Sequence, residues 1–174
     1  MRWLLIVAAL MALSSCATLT EEQCEAGNWA AIGYRDGENG RLPNFLEQHR
    51  KACAEVGITP AQSEWEAGRT QGLTQYCRPS RAYRVGRSGR ALSPVCTDAQ
   101  WQEMRPAWNH GRNYWRLEDD INDIEREERR IRSHLAALTK GDESLRAHLL
   151  SDLRFLRLRR QQLELRQLRY SSWP

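Results

Sequence analysis

The chain has 174 residues, 26 Lys and Arg against 22 Asp and Glu, a formal charge of +4 and a hydrophobic fraction of 41%. That length allows one domain, or a small domain with an appendage, and that hydrophobic fraction excludes a disordered chain. No run of 18 apolar residues is present to cross a membrane, and the Walker, G-x-G-x-x-G, H-E-x-x-H and G-x-S-x-G patterns are missing.

The first elements in chain order are those of an export signal. Arg2 is a minimal basic n-region, and Trp3 to Leu13 is an apolar stretch of signal-peptide length. Leu13-Ser14-Ser15-Cys16 follows, and it resembles the lipobox of bacterial lipoproteins. The resemblance implies cleavage after residue 15, removal of Arg2 and lipidation of Cys16 by diacylglycerol and a further acyl chain. Each buried methylene contributes about 0.8 kcal/mol, so three chains hold a protein at a bilayer where one does not. Ala17 stands where an Asp would retain such a lipoprotein in the inner membrane. The expected location is therefore the outer membrane, lipid-anchored and facing the periplasm, with residues 16–19 as a linker.

Four further cysteines remain, Cys24, Cys53, Cys77 and Cys96. An even number in an oxidising compartment predicts two disulfides. A zinc site built on His49-x3-Cys53 is the competing reading, but no C-x2-C accompanies it. Neither a metal nor any other cofactor is expected.

Three capping-box patterns, Thr20-Glu21-Glu22-Gln23, Thr59-Pro60-Ala61-Gln62 and Thr97-Asp98-Ala99-Gln100, mark helix starts at a nearly regular interval. The pattern predicts one helix over 21–35, a turn over 36–40, and a second helix from Pro43 to Gly57. In such an antiparallel hairpin Cys24 and Cys53 come level, which favours the pairings Cys24–Cys53 and Cys77–Cys96. Aromatic residues stand three or four positions before glycines: Trp29 before Gly33, Trp65 before Gly68, Tyr83 before Gly86 and Trp108 before Gly111. On a helix those positions adjoin. The glycines are expected to be packing notches, with an aromatic cleft around Trp29, Trp65 and Trp108 as the alternative.

The set Cys24, Trp29, Gly33, Asp36-Gly37, Gly40, Cys53, Trp65-x2-Gly68-Arg69, Gly72-Leu73, Tyr76-Cys77-x-Pro79, Gly86, Gly89 and Cys96 resembles a family of small Gram-negative envelope lipoproteins that is a domain of unknown function. The resemblance covers roughly residues 20–112 and brings no activity. Trp65 departs from it, standing where Tyr is expected.

From Gly111 the composition turns to Arg, Glu and Leu. Tyr114, Leu117, Ile121, Ile124, Glu128, Ile131, Leu135 and Leu138 step by three and four, a coiled-coil seam with one polar member. Gly141 is expected to stop that helix and Asp142 to cap the next. Leu145, Leu149, Leu153, Leu156 and Leu163 form the facing stripe. A short loop makes the two helices antiparallel neighbours with arms of about 27 residues. The fold class is thus all-α: a small disulfide-stapled helical domain over 20–110, then an antiparallel coiled-coil helical hairpin over 111–170. Pro106 is expected to kink or interrupt the helix before it. Trp101, Met104, Trp108 and Trp115 could form a ridge on which the hairpin docks.

Leu150, Phe155, Leu158, Leu165 and Leu168 exceed what one seam can bury. No acidic residue lies between Ala67 and Thr97, where Arg84 and Arg87 belong to a run of arginines at every third position. Leu158, Leu165, Arg84 and Arg87 are therefore candidate interaction residues, as are Trp29, Trp65 and Trp108. The expected partners are the membrane, an envelope protein or peptidoglycan, and a second copy through the hairpin. Near charge balance argues against nucleic acid. Of the four histidines, His49, His110, His134 and His148, neither His134 nor His148 has a nucleophile within helical reach, His49 stands beside a Cys53 expected to be oxidised, and Asp36 and Glu38 fall in the expected turn. The reading is a non-enzymatic envelope protein, with a periplasmic ligand-binding module and an envelope hydrolase as alternatives.

Overall fold

The computed structural model describes residues 17–174, so the expected signal peptide and Cys16 lie outside the described residues. Among these the chain is all-helical, and it packs as two units: residues 17–77 with 93–96, and residues 78–92 with 97–174.

The first unit begins with α1 (Glu21–Ala26) and α2 (Trp29–Glu38). The single helix expected over 21–35 is divided. Gly27 takes the left-handed conformation at φ 59° and Asn28 caps α2 through its side chain. A glycine reaches that backbone region without a Cβ penalty, and Asn accepts the free amide of Ala31. The turn expected over 36–40 is shorter, because α2 continues to Glu38 and carries Asp36 into the interior. A 3-10 turn at Pro43–Phe45 leads into α3 (Leu46–Cys53), and a second at Ala54–Val56 ends it. The next helix, α4, is Gln62–Tyr76. The boxes at Thr20 and Thr97 form, but the one at Thr59 does not: α4 starts at Gln62, and its N-cap Ala61 has no side chain to offer. Leu19, Cys24, Trp29, Ile32, Leu46, Cys53 and Trp65 make the core of this unit. Leu19 and its neighbour Thr18 are thus held by the domain and do not form a linker.

The glycines explain how α2 and α4 meet. A Cβ added at Gly33 would lie 2.0 Å from the carbonyl oxygen of Trp65, and one at Gly68 would lie 2.0 Å from that of Ala30. Gly37 and Gly72 stand equally close to the carbonyls of Arg69 and Tyr34. Each helix therefore presses backbone oxygens into the other's glycines, at a distance where Cα–H···O contacts form.

Two disulfides close this unit, Cys24–Cys53 with a Cα–Cα distance of 5.5 Å and Cys77–Cys96 with 5.6 Å. The first spans 29 residues. Closing a loop of that length in the unfolded chain is worth about 3.5 kcal/mol. The Cys24→Ala/Cys53→Ala variant is expected to lose about that much in denaturant unfolding; a loss under ~1 kcal/mol would contradict it.

The second unit contains α5 (Pro79–Arg87), α6 (Asp98–Ala137) and α7 (Glu143–Gln167), ending in a 3-10 turn at Leu168–Tyr170. The 40-residue α6 passes through Pro106 without a break, and through Gly111, where a domain boundary was expected. A proline inside a helix costs about 3 kcal/mol, and packing offsets it here: Met104 and Ala107, on either side, are fully buried. The notch device returns between α5 and α6, where Cβ atoms at Gly86 and Gly111 would lie 2.3 and 2.2 Å from the carbonyls of Trp108 and Tyr83. Trp108 and Trp115 of the indole-rich ridge meet α5 and the loop after it. Trp108 Nε1 donates to the Arg90 carbonyl at 3.1 Å, and Trp115 packs on Gly89.

Beyond this crossing α6 and α7 form the hairpin, with Leu117, Ile121, Ile124 and Leu163 as its core. Gly141, at φ 111°, makes the turn. Asp142 does not cap α7 with its side chain; its carboxylate accepts instead from the amide and hydroxyl of Thr139 across the turn. Glu128, the polar member of the seam, is 2% exposed and accepts from Arg132 and Arg160. The bond to Glu128 raises the Arg160 guanidinium above its ordinary value, opposing the burial that lowers it. A buried carboxylate held by arginines from both helices sets register, since any slip strands it.

Candidate functional site

Two surfaces carry chemistry, one in each unit. In the first, α2 and α3 bring Asp36 and His49 together, although 13 residues separate them in sequence. His49 is 2% exposed. Its Nε2–H donates to Asp36 Oδ2 at 2.7 Å, and the indole N–H of Trp65 donates to the same oxygen at 2.8 Å. The Thr18 hydroxyl donates to His49 Nδ1 at 2.8 Å. These directions are assigned from the partners: a carboxylate only accepts, so Nε2 carries a proton toward it and Nδ1 faces the hydroxyl. Hydroxyl, imidazole and carboxylate stand in a row, but the ring is reversed relative to an acyl-transfer triad, in which the hydroxyl meets Nε2. The row acts as a buried clamp: it ties the residues that precede α1 to α2, α3 and α4.

Over the clamp opens a pocket of about 270 Å³, lined by Thr18, Gln23, Arg35, Asn39, Arg41 and Phe45 among others. The Arg41 guanidinium lies 4.3 Å over the Phe45 ring, and Phe45 in turn meets His49 edge-on at 5.1 Å. Arg69 Nε donates to the Arg41 carbonyl at 2.8 Å and holds this loop to α4. Burial lowers the Arg69 guanidinium below its ordinary value, against the opposing charges of Asp36 and Glu66.

Asp36, His49 and Thr18 escape a sequence reading because nothing in their local pattern pairs them. The one available signal is that His49 shares a face of α3 with Leu46 and Cys53, both core residues.

In the second unit, α7 turns Leu149, Leu153, Leu156 and Leu163 toward α6 and leaves a second apolar face outside. Phe155, Leu158 and Leu165 are 65%, 55% and 67% exposed, and Leu150 and Leu168 lie exposed with them. At the helical period these five fall within an arc of about 140°, too contiguous for scattered surface residues. Arg154, Arg157, Arg159 and Arg166 lie in or beside the arc.

The other sequence candidates fall as follows. Trp29 and Trp65 are buried, and their glycine notches are filled by the opposing helix backbone, so no cleft opens there. Trp108 is half-buried and bonded to Arg90. Arg84 and Arg87 are both exposed, and Arg87 is stacked 4.0 Å over Tyr114 and donates to the Ser171 carbonyl. Among the described residues no cluster of three His, Cys, Asp or Glu side chains could hold a metal ion.

Residues 28–113 match the family described as "Protein of unknown function (DUF2799)". The match covers the glycine-notched crossings of both units and ends where the hairpin arm begins. No curated protein and no solved structure matches the chain.

Proposed function

We propose for this chain, whose residues 28–113 are similar to the unknown-function family DUF2799, a non-enzymatic role: a lipid-anchored protein of the outer membrane that faces the periplasm and binds a partner through the outer face of α7. The Leu13-Ser14-Ser15-Cys16 pattern supports the anchor. The observation that carries the interaction is the exposed apolar arc of Phe155, Leu158 and Leu165 with its arginine border. That composition suits an envelope partner with an apolar patch and acidic surroundings. The filled notches of Trp29 and Trp65 lend no support to a ligand cleft.

Photo-crosslinkers at Phe155 and Leu168 in intact cells test this reading. Leu158→Glu with Leu165→Glu is expected to abolish the adduct, with stability changed by no more than ~0.5 kcal/mol because both side chains are already in water. An adduct that persists in the double variant would sink the proposed interface. Mass spectrometry of the same protein reads the acylation of Cys16 independently.

A further inference from the structure

We propose that the pocket above the Thr18–His49–Asp36 clamp takes a phosphate group, supplied by the head group of an anionic phospholipid. Three observations converge on it. The first is chemical. Arg35 and Arg41 both line the pocket, and neither guanidinium is in an ion pair among the described residues. Arginine meets phosphate with paired, charge-assisted hydrogen bonds, and the Phe45 ring under Arg41 holds its guanidinium in place. The second is electrostatic. The one carboxylate in the lining belongs to Asp36, whose Oδ2 already accepts from His49 and Trp65, so its charge is partly answered inside the protein.

The third is positional, and it rests on the lipid-anchor reading above. Thr18 lines the pocket and Leu19 is buried in the core. Thr18 follows Cys16 by two residues in sequence, and two residues reach at most ~7 Å. A lipid on Cys16 therefore brings the pocket to the plane of the head groups, where phosphodiesters are the most abundant anion. The pocket is not part of the α7 face and makes a separate contact.

The protein as cells make it, purified in a neutral detergent, is titrated with dihexanoyl phosphatidylglycerol, dihexanoyl phosphatidylcholine and inorganic phosphate, with tryptophan fluorescence as the readout. Trp65, bonded to Asp36, reports on the pocket wall. Saturable binding of the phosphatidylglycerol is expected, weakened at least ~10-fold by Arg35→Gln with Arg41→Gln. Asp36→Asn, which removes the opposing charge, is expected to tighten it. Circular dichroism checks that both variants remain helical. Inorganic phosphate binding as tightly as the lipid would overturn the head-group source. The absence of binding, or binding indifferent to the two arginines, would overturn the site. Phosphate binding by a protein whose Cys16 is unacylated would overturn the anchor while leaving the site standing; an acylated protein that binds nothing would do the reverse.

Discussion

Replacing Gly68 by alanine is expected to cost upward of ~4 kcal/mol, more than overpacking usually does. The new Cβ would sit 2.0 Å from the carbonyl oxygen of Ala30, and backbone cannot rotate aside as a side chain can. The relief open to the protein is to separate α2 from α4 by more than an ångström along their whole crossing. That movement loosens Trp65 and weakens its bond to Asp36, so the damage spreads beyond the point of contact. Gly57→Ala is the control. Gly57 has positive φ but open space around it, and a non-glycine residue there costs about 1 kcal/mol. The two variants differ in denaturant midpoint if close approach is the cause; equal losses would refute it. Gly33→Ala added to Gly68→Ala should cost less than the sum, because one separation relieves both clashes.

Asp36→Ala is expected to lose about 4 kcal/mol by a different route. It leaves two buried donors, His49 Nε2–H and the Trp65 indole N–H, without an acceptor, at ~1–3 kcal/mol each. Both bonds fall on a single oxygen of Asp36. An asparagine that turns its carbonyl to that position keeps both, so Asp36→Asn is expected to cost under ~1 kcal/mol. Urea unfolding of the two variants, with disulfides intact, separates the loss of an acceptor from the loss of a charge. If both are equally destabilised, the charge and not the acceptor count holds the clamp together.

The units share one construction. In each, a residue three positions before a glycine presses its carbonyl into the glycine of the opposing helix: Ala30 against Gly68, Trp65 against Gly33, Tyr83 against Gly111, Trp108 against Gly86. The recurring aromatic-x2-Gly spacing is visible in the chain and reads as a notch. What fills the notch is another helix's backbone, and no periodicity indicates that.

The same division holds across the molecule. Local chemistry made much of it legible. The capping boxes at Thr20 and Thr97, the all-helical class and the hairpin seam follow from spacings of three and four and from side chains that bond their own backbone. Features that depend on which elements meet were not legible. The break at Gly27 depended on a single left-handed residue in a sequence of good helix formers. Pro106 passed through α6 because Met104 and Ala107 are buried on either side of it. Asp36 looked like a turn residue, yet it is the acceptor at the centre of the first unit. Sequence alone determined the all-helical class, the caps at Thr20 and Thr97 and the hairpin seam of this protein, because those are encoded within a few residues. Tertiary structure alone decided that Thr18, Asp36, His49 and Trp65 form one clamp beneath a basic pocket, because hydrogen bonds between distant elements exist only after helices have packed.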